Sequence, residues 1–306
     1  MNRVAALDCG TNSLRLLIAD IDGDRLVDVV RRMEIVRLGE GVDRTGRLSE
    51  AALGRTFGVL DSYAEQIRTG DVSRIRMVAT SATRDAANRD VFVDGVRERL
   101  GVPPEVITGD QEAGLSFDGA TRELRGSGLA SPYLVVDIGG GSTEFVLGDD
   151  EGPRQARSVD IGCVRLTERH LRDDPPTAEQ IAAATADIEA AIDVAGEAVA
   201  IEAARTLVGL AGSVTTVVAL ALGLSRYEPD RIHHRSVSIE QVTEVTQRLL
   251  AATRAERAAM PVMHPGRVDV IGGGALVLET IMRRCGFDAV MASEHDILDG
   301  IAFSIA

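Results

Sequence analysis

Two short stretches hold the residue types and spacing that could grip a phosphoryl group. Asp8-Cys9-Gly10-Thr11-Asn12-Ser13 and Asp137-Ile138-Gly139-Gly140-Gly141-Ser142-Thr143-Glu144 share one grammar: an apolar run, Asp, x, Gly, x, x, Ser, then a second apolar run. Glycines let the chain turn sharply and let an anion approach the backbone. Successive N–H groups in such a turn form an anion-binding concavity. Hairpins with ordinary glycine turns would explain the glycines. They would not by themselves call for an Asp at each strand end. Asp137 and Glu144 stand at opposite ends of the second turn. A bare phosphate would not favour carboxylates beside it, but a phosphate carrying Mg²⁺ would, because a hard cation takes oxygen ligands. Two copies with identical internal spacing indicate a duplicated domain with one phosphate loop per half.

These loops need strands to hold them. Residues 3–8, 14–20 and 26–36 read as three successive strands, with a turn at Asp22-Gly23-Asp24. A helix is expected from an N-cap at Ser49 to about Ile67. A buried strand from Ile75 to Ala79 runs into the hydroxyl-rich turn Thr80-Ser81-Ala82-Thr83-Arg84-Asp85. A helix at about 90–100, a short strand at 105–107 and a helix at 111–124 complete the first half. Gly126-Ser127-Gly128 is the expected boundary.

The second half repeats the plan, with strands at 133–137, 143–148 and 155–160 and a helix at about 163–172. Capping boxes at Thr177/Gln180 and Ser238/Gln241 open helices expected at 178–204 and to about Arg254. Residues 207–210 and 289–292 read as strands. A helix over 266–284 would contain Gly272-Gly273-Gly274, which propensity disfavours unless something packs closely against it. The last helix starts near Asp296. The domains expected are 1–128 and 129–295, with 296–306 a candidate to rejoin the first. The fold class is α/β, with mixed sheets flanked by helices.

Composition narrows the function. A chain of 306 residues favours two domains, and a hydrophobic share of 45% with no Trp and 3% aromatics means aliphatic cores. The net charge of −14 argues against a nucleic-acid partner. Residues 1–128 carry 18 Arg against 21 Asp and Glu, so the first half is the more hospitable to an anion. Lys is absent, so phosphates meet Arg forks or backbone N–H groups. No apolar run is long enough to span a membrane, and the N-terminus has no secretory pattern. Cys9, Cys163 and Cys285 form neither a disulfide framework nor a zinc site, which implies a reducing cytoplasm.

The duplicated hairpins resemble those of the actin, sugar-kinase and chaperone-ATPase superfamily. Finer matches resemble the exopolyphosphatase and guanosine pentaphosphate phosphohydrolase family. They are 6–13, 79–86 (Ala79-Thr80-Ser81-Ala82-Thr83-Arg84-Asp85-Ala86), 106–113 (Val106-Ile107-Thr108-Gly109-Asp110-Gln111-Glu112-Ala113) and 136–144, with weaker matches at Gly209-Leu210-Ala211-Gly212-Ser213 and Arg267 to Leu278. The set covers nearly the whole chain in the family's order. Long family members carry further C-terminal helical domains past the equivalent of Ala306, so the resemblance implies a short form that prefers short polymers. Gln111 stands where many members have a second acidic residue, leaving Glu112 as the one carboxylate of that motif.

The resemblance implies two actin-like domains with the site in the cleft between them. It also implies Mg²⁺ (Mn²⁺ as the alternative), inorganic polyphosphate or guanosine pentaphosphate as substrate, and a homodimer. Glu112 read alone is a first-turn Glu favoured by the helix dipole; the resemblance makes it the general base. Arg84 is either a phosphoryl fork or a surface ion pair with Asp85 or Asp90, and family position favours the fork. Asp137 and Glu144 would hold the metal, and Glu144 could also position water. Asp8 is a metal or metal-water partner, or a turn cap. Gly10, Thr11, Asn12 and Ser13, with Gly139, Gly140, Gly141, Ser142 and Thr143, would supply donors to phosphate oxygens. Arg15 is either ligand or salt bridge. His170, His233, His234, His264 and His295 read as structural or surface residues, and Cys9 as a small buried one. The rival class is an actin-like kinase or nucleotide-gated scaffold, with Gly209–Ser213 the vestige of an adenosine pocket.

Overall fold

The computed structural model describes residues 2–23, 25–124 and 128–306. Asp24 of the first turn and two residues of the Gly126-Ser127-Gly128 stretch lie outside them. The chain divides into two compact units, Met1–Arg122 with Asp296–Ala306, and Glu123–His295.

In the first unit, β1 (Asn2–Cys9), β2 (Ser13–Asp22) and β3 (Arg25–Ile35) run antiparallel, while β4 (Arg74–Ala79) and β5 (Glu105–Val106) lie parallel on the other side. The order is β3-β2-β1-β4-β5. β1 is buried on both faces, and its alternation sorts two cores. Ala5, Leu7 and Cys9 join the core under helices Glu50–Thr69 and Arg89–Leu100. Val4 and Ala6 pack instead with Ile297, Leu298, Ile301 and Ala302 of the C-terminal helix Ile297–Ser304. Asp8, on the even face, therefore opens toward the start of that last helix.

The C-terminal helix crosses helix Gly109–Thr121 at glycines. A Cβ on Gly119 would run into the Asp296 carbonyl, and one on Gly300 into the Leu115 carbonyl. Two ion pairs reinforce the crossing. Arg15 of β2 reaches Asp296, and Arg31 of β3 reaches Asp299. Asp296 is also the helix N-cap, accepting from Leu298 N–H at 3.0 Å.

In the second unit, β6 (Tyr133–Ile138), β7 (Thr143–Asp149) and β8 (Gly152–Val159) repeat the antiparallel opening. β9 (Thr206–Leu210) runs parallel to β6, β11 (Ala289–Ala292) parallel to β9, and β10 (Ser236–Ser238) closes the edge antiparallel to β11. The order is β10-β11-β9-β6-β7-β8. Both units are thus mixed sheets flanked by helices, as the class predicts.

Several boundaries differ from the expectation. The helix read as 178–204 ends at Gly196, and Ile201–Ala203 forms a separate 3₁₀ turn. Gly196 weakens the helix there, and the buried Val199 and Ile201 pull the chain back to the core. The helix read to Arg254 stops at Ala251, because Thr253 and Glu256 cap a new helix, Arg254–Ala258. The helix read from 266 starts at Ile271, after a 3₁₀ turn Pro265–Arg267. Its glycines are explained by close packing. A Cβ on Gly273 would lie 2.9 Å from Thr167 Oγ1, and Gly274 abuts Ser213. Thr80–Asp85 is a one-turn helix, Ser81–Asp85, rather than an open turn.

The glycine crossing gives a stability prediction. Gly300→Ala forces a methyl into a backbone carbonyl that cannot rotate away, so it should cost about 1–3 kcal/mol. Urea unfolding followed by far-UV circular dichroism measures it. An unchanged midpoint would show that the two helices can separate freely.

Candidate phosphate-binding and catalytic site

The two glycine hairpins fold alike. Gly10 N–H donates to Ser13 O at 3.0 Å, and Gly139 N–H donates to Ser142 O at 3.0 Å. In each unit a following segment lies over the loop and takes its carbonyls. Thr11 O accepts from Gly39 N–H at 2.9 Å, and Asn12 O accepts from Val36 and Arg37 N–H at 3.0 and 2.9 Å. Gly139 O accepts from Cys163 N–H, Gly140 O from Val164 and Arg165 N–H, and Gly141 O from Arg165 Nε. Among the described residues, the N–H groups of Thr11, Asn12, Gly140, Gly141 and Ser142 make no such bond. The loops have thus committed their acceptors to protein and kept donors, which is the polarity an anion requires.

Glycine makes the cover possible. A Cβ on Gly39 would overlap the Thr11 side chain, and one on Gly162 would lie 2.5 Å from the Gly140 carbonyl. Thr11 Oγ1 and Ser81 Oγ are 2.9 Å apart, tying the first loop to the helix that carries Arg84. Thr143 Oγ1 donates to Ile161 O, so that hydroxyl is structural rather than aimed at a ligand.

The hairpins differ in charge at one register position. Asp8 faces Arg15 across β1 and β2, whereas Asp137 faces Glu144 across β6 and β7. Arg15 Nε and Nη2 both donate to Asp8 Oδ2, at 2.9 and 2.7 Å, so Arg15 is a salt-bridge residue. Asp8 Oδ1 is buried with no hydrogen-bond partner. Burial pushes the Asp8 carboxyl up, against the pull of Arg15. Asp296 is equally buried, but Arg15, Leu298 N–H and Arg31 together outweigh burial and hold its pKa down. The same arginine serves both acids, and the extra donors explain their opposite shifts.

Asp137 is 7% exposed and Glu144 1%. Like charges directly opposite on adjacent strands repel. Ser158 Oγ donates to Glu144 Oε1 at 2.7 Å, which orients the carboxylate. A divalent cation held by both acids would relieve that repulsion. The donor set, all oxygen, suits a hard ion such as Mg²⁺.

Arg84 and Glu112 meet within the first unit. Arg84 Nη1 donates to Glu112 Oε2 at 3.1 Å and to Ile107 O at 3.0 Å. The pair with Asp85 or Asp90 that sequence offered as the alternative is replaced by this one. Glu112 is buried in the first turn of Gly109–Thr121. Gln111 is exposed and closes a capping box with Thr108, its Oε1 accepting Thr108 N–H at 3.0 Å. That position therefore caps the helix, a task for which Glu and Gln are both suited.

Sequence reading missed Gly39, Gly162, Asp296 and one histidine group. His233, His295 and Glu123 converge, with His233 Nε2 3.1 Å from Glu123 Oε2 and the His234 ring stacked on His233 at 3.7 Å. Glu294 N–H donates to His233 Nδ1 at 3.1 Å. The neutral His233 ring therefore carries its proton on Nε2 and donates it to Glu123, so that nitrogen offers no lone pair to a metal. Cys9 is buried, and burial raises its thiol pKa well above the ordinary value. Gly212, in the Gly209–Ser213 stretch, packs against the Arg267 guanidinium.

Comparison with known proteins adds to this geometry. The model of a family described as the Ppx/GppA phosphatase family matches residues 17–306. Exopolyphosphatase 2 of Mycobacterium tuberculosis is 50% identical, over 100% of this chain and 99% of its own length. A guanosine-5'-triphosphate,3'-diphosphate pyrophosphatase of Aeromonas salmonicida is 27% identical over 98% of this chain and 59% of its own length. The crystal structure of an exopolyphosphatase-like protein superposes with a TM-score of 0.97 at 44% identity, covering 100% of this chain and 98% of that one.

The carboxylate pair gives a prediction with opposite signs in two buffers. Glu144→Gln removes the repulsion, so without divalent metal the variant should melt at or above the wild-type temperature. A cation that binds only the folded state raises Tm, by an amount that grows with the logarithm of its concentration over Kd. Mg²⁺ should therefore raise wild-type Tm and leave the variant unmoved. Equal Mg²⁺ shifts in both proteins would remove Glu144 from the metal site. In the covering segment, Gly162→Ala should displace the second loop and weaken pyrophosphate binding about tenfold, a loss of ~1.4 kcal/mol; titration calorimetry reads it, and unaltered binding would mean that this loop is not the anion site.

Proposed function

The chain belongs to the Ppx/GppA phosphatase family, and from that membership we propose that it is an exopolyphosphatase, hydrolysing the terminal phosphoanhydride of inorganic polyphosphate to release orthophosphate. The observation that carries the reading is the matched pair of hairpins whose carbonyls are bound to protein and whose N–H groups remain as donors. The full-length likeness to Exopolyphosphatase 2 supports the substrate class.

In this reading the free N–H groups of 11–12 and 140–142 bind phosphate oxygens. Ser13 and Gly10, like Gly139 and Thr143, shape the loops rather than touch the anion through side chains. Asp137 and Glu144 would hold Mg²⁺, with Mn²⁺ the alternative, and Asp8 keeps its buried Oδ1 as an acceptor beside the first loop. The bound cation supplies neutralisation of charge on the phosphoryl oxygens.

Arg84 and Glu112 act as a pair. In the resting site each holds the other through the 3.1 Å bond. When a terminal phosphoryl group takes the Arg84 N–H groups, the Glu112 carboxylate is released from Arg84 and can face the attacking water. It then accepts a proton from the attacking water as the new P–O bond forms and the anhydride bond breaks. The shortened polyphosphate leaves with the bond electrons. Arg84 stays on the transferred group, where charge spreads in the transition state.

A second reading is hydrolysis of guanosine pentaphosphate, favoured by the match to the Aeromonas pyrophosphatase. It uses the same residues on the same bond type. We further propose action in the cytoplasm as a homodimer; no helix among the described residues is long and apolar enough to cross a membrane.

Initial-rate assays with Mg²⁺ and, in turn, polyphosphate, guanosine pentaphosphate, and ATP with small acceptors separate the readings. Polyphosphate turnover is expected. ATP-dependent transfer to an acceptor without polyphosphate hydrolysis would replace the reading with a kinase. Glu112→Gln should lower kcat by about 10²–10⁴-fold with little change in substrate affinity. Arg84→Ala removes a contact made in both ground and transition states, so KM should rise as well. Near wild-type kcat in Glu112→Gln would move the base to Glu144.

A further inference from the structure

Arg15 binds Asp8 in an unusual way. An arginine and a carboxylate normally pair fork to fork, one N–H on each oxygen. Here Nε and Nη2 both fall on Oδ2, at 2.9 and 2.7 Å, and Oδ1 is left buried without a partner. The third guanidinium nitrogen, Nη1, is held by Asp296 at the start of the C-terminal helix.

Asp296 is itself fixed from several directions. Its Oδ1 accepts from Leu298 N–H at 3.0 Å, and its backbone N–H donates to Asp299 Oδ2 at 3.0 Å. Its carbonyl sits against Gly119, on the helix that carries Glu112. Asp299 is tied in turn to Arg31 of β3. The guanidinium is therefore anchored at its far end by a residue that cannot follow it toward the hairpin.

We propose that Asp296 is a positioning residue for the first phosphate hairpin: by holding Arg15 Nη1 it keeps the guanidinium on one oxygen of Asp8 and leaves Asp8 Oδ1 for the bound phosphate assembly. The proposal rests on the phosphohydrolase reading above and goes beyond it, because Asp296 lies in the C-terminal helix, far in sequence from every motif that defines the hairpins. Without the anchor, Arg15 rotates into the two-oxygen pair and takes Oδ1 for itself. The same crossing at Gly119 sets the Asp8 side of the unit against the Glu112 helix, so one residue registers two parts of the machinery.

Asp296→Asn tests this cleanly. Asn is as good an N-cap as Asp, so the helix keeps its cap while the charge that anchors Arg15 is lost. Asp299→Asn is the control: its amide oxygen can still accept the Asp296 N–H, so it loosens the same helix only through the lost charge on Arg31 and does not touch Arg15. The expected result for Asp296→Asn is a crystal structure with Arg15 bonded to both oxygens of Asp8 and a kcat on polyphosphate lowered about 10–10²-fold, the scale on which small misplacements act. KM should change less than twofold, and the loss of Tm should be no greater than that of Asp299→Asn, whose kcat should remain near wild type.

The crystallographic arm decides the inference whatever the substrate proves to be. An Asp8 Oδ1 still unpaired in Asp296→Asn would overturn it. So would a rearranged Arg15 with undiminished turnover, or a kcat loss equal in both variants, which would mean simple helix loosening. A wild-type protein inactive on polyphosphate and guanosine pentaphosphate would overturn the functional reading instead, and the Arg15 geometry would still be read from the variant.

Discussion

A carboxylate buried at the end of a strand must be met by positive charge, and the residue seven positions later decides where that charge comes from. In the first hairpin it is Arg15, a cation supplied by the protein. In the second it is Glu144, which doubles the demand. The two loops share a backbone and differ in this one cross-strand partner. That difference puts an opposite-charge pair at this position in the first hairpin and two acids in the second. The rest of the first unit follows from the same constraint, since Arg15 needs a second acid and the C-terminal helix delivers it.

The polarity of the loops is a second consequence of chain geometry. Strand-end turns normally expose both halves of the peptide group to water. Here a later segment of each unit crosses the loop and satisfies the carbonyls, which is possible only where glycine removes a side chain at the crossing, Gly39 in one unit and Gly162 in the other. The anion-binding character thus belongs to a pair of segments rather than to the glycine-rich stretch alone.

Much of this was legible from local pattern. The hairpins, their register grammar, the capping boxes at Thr177 and Ser238 and the packed Gly272–Gly274 all announce themselves through spacing and residue type. Glu112 and Arg84 stand out only through resemblance, since a first-turn Glu and an arginine near acids carry no chemistry by themselves. Their mutual bond was not foreseen, because it joins two motifs across a fold. The same holds for Arg15 with Asp296, for Gly162 with Gly140, and for Glu123 with His233. Contacts between distant segments leave no periodicity. Gln111 has a local role, a capping box with Thr108, that is readable from four residues alone.

The first unit is discontinuous, and this bears on how a ribosome can make it. Emerging residues 1–122 present Arg15 and Arg31 without Asp296 and Asp299, and leave the Val4–Ala6 face of β1 without its covering helix. Glu123–His295 is contiguous and can close as it is synthesised. Assembly of this unit therefore waits on a segment made only after all of Glu123–His295. A defect in that late segment would be felt at the first phosphate loop, far upstream in the chain.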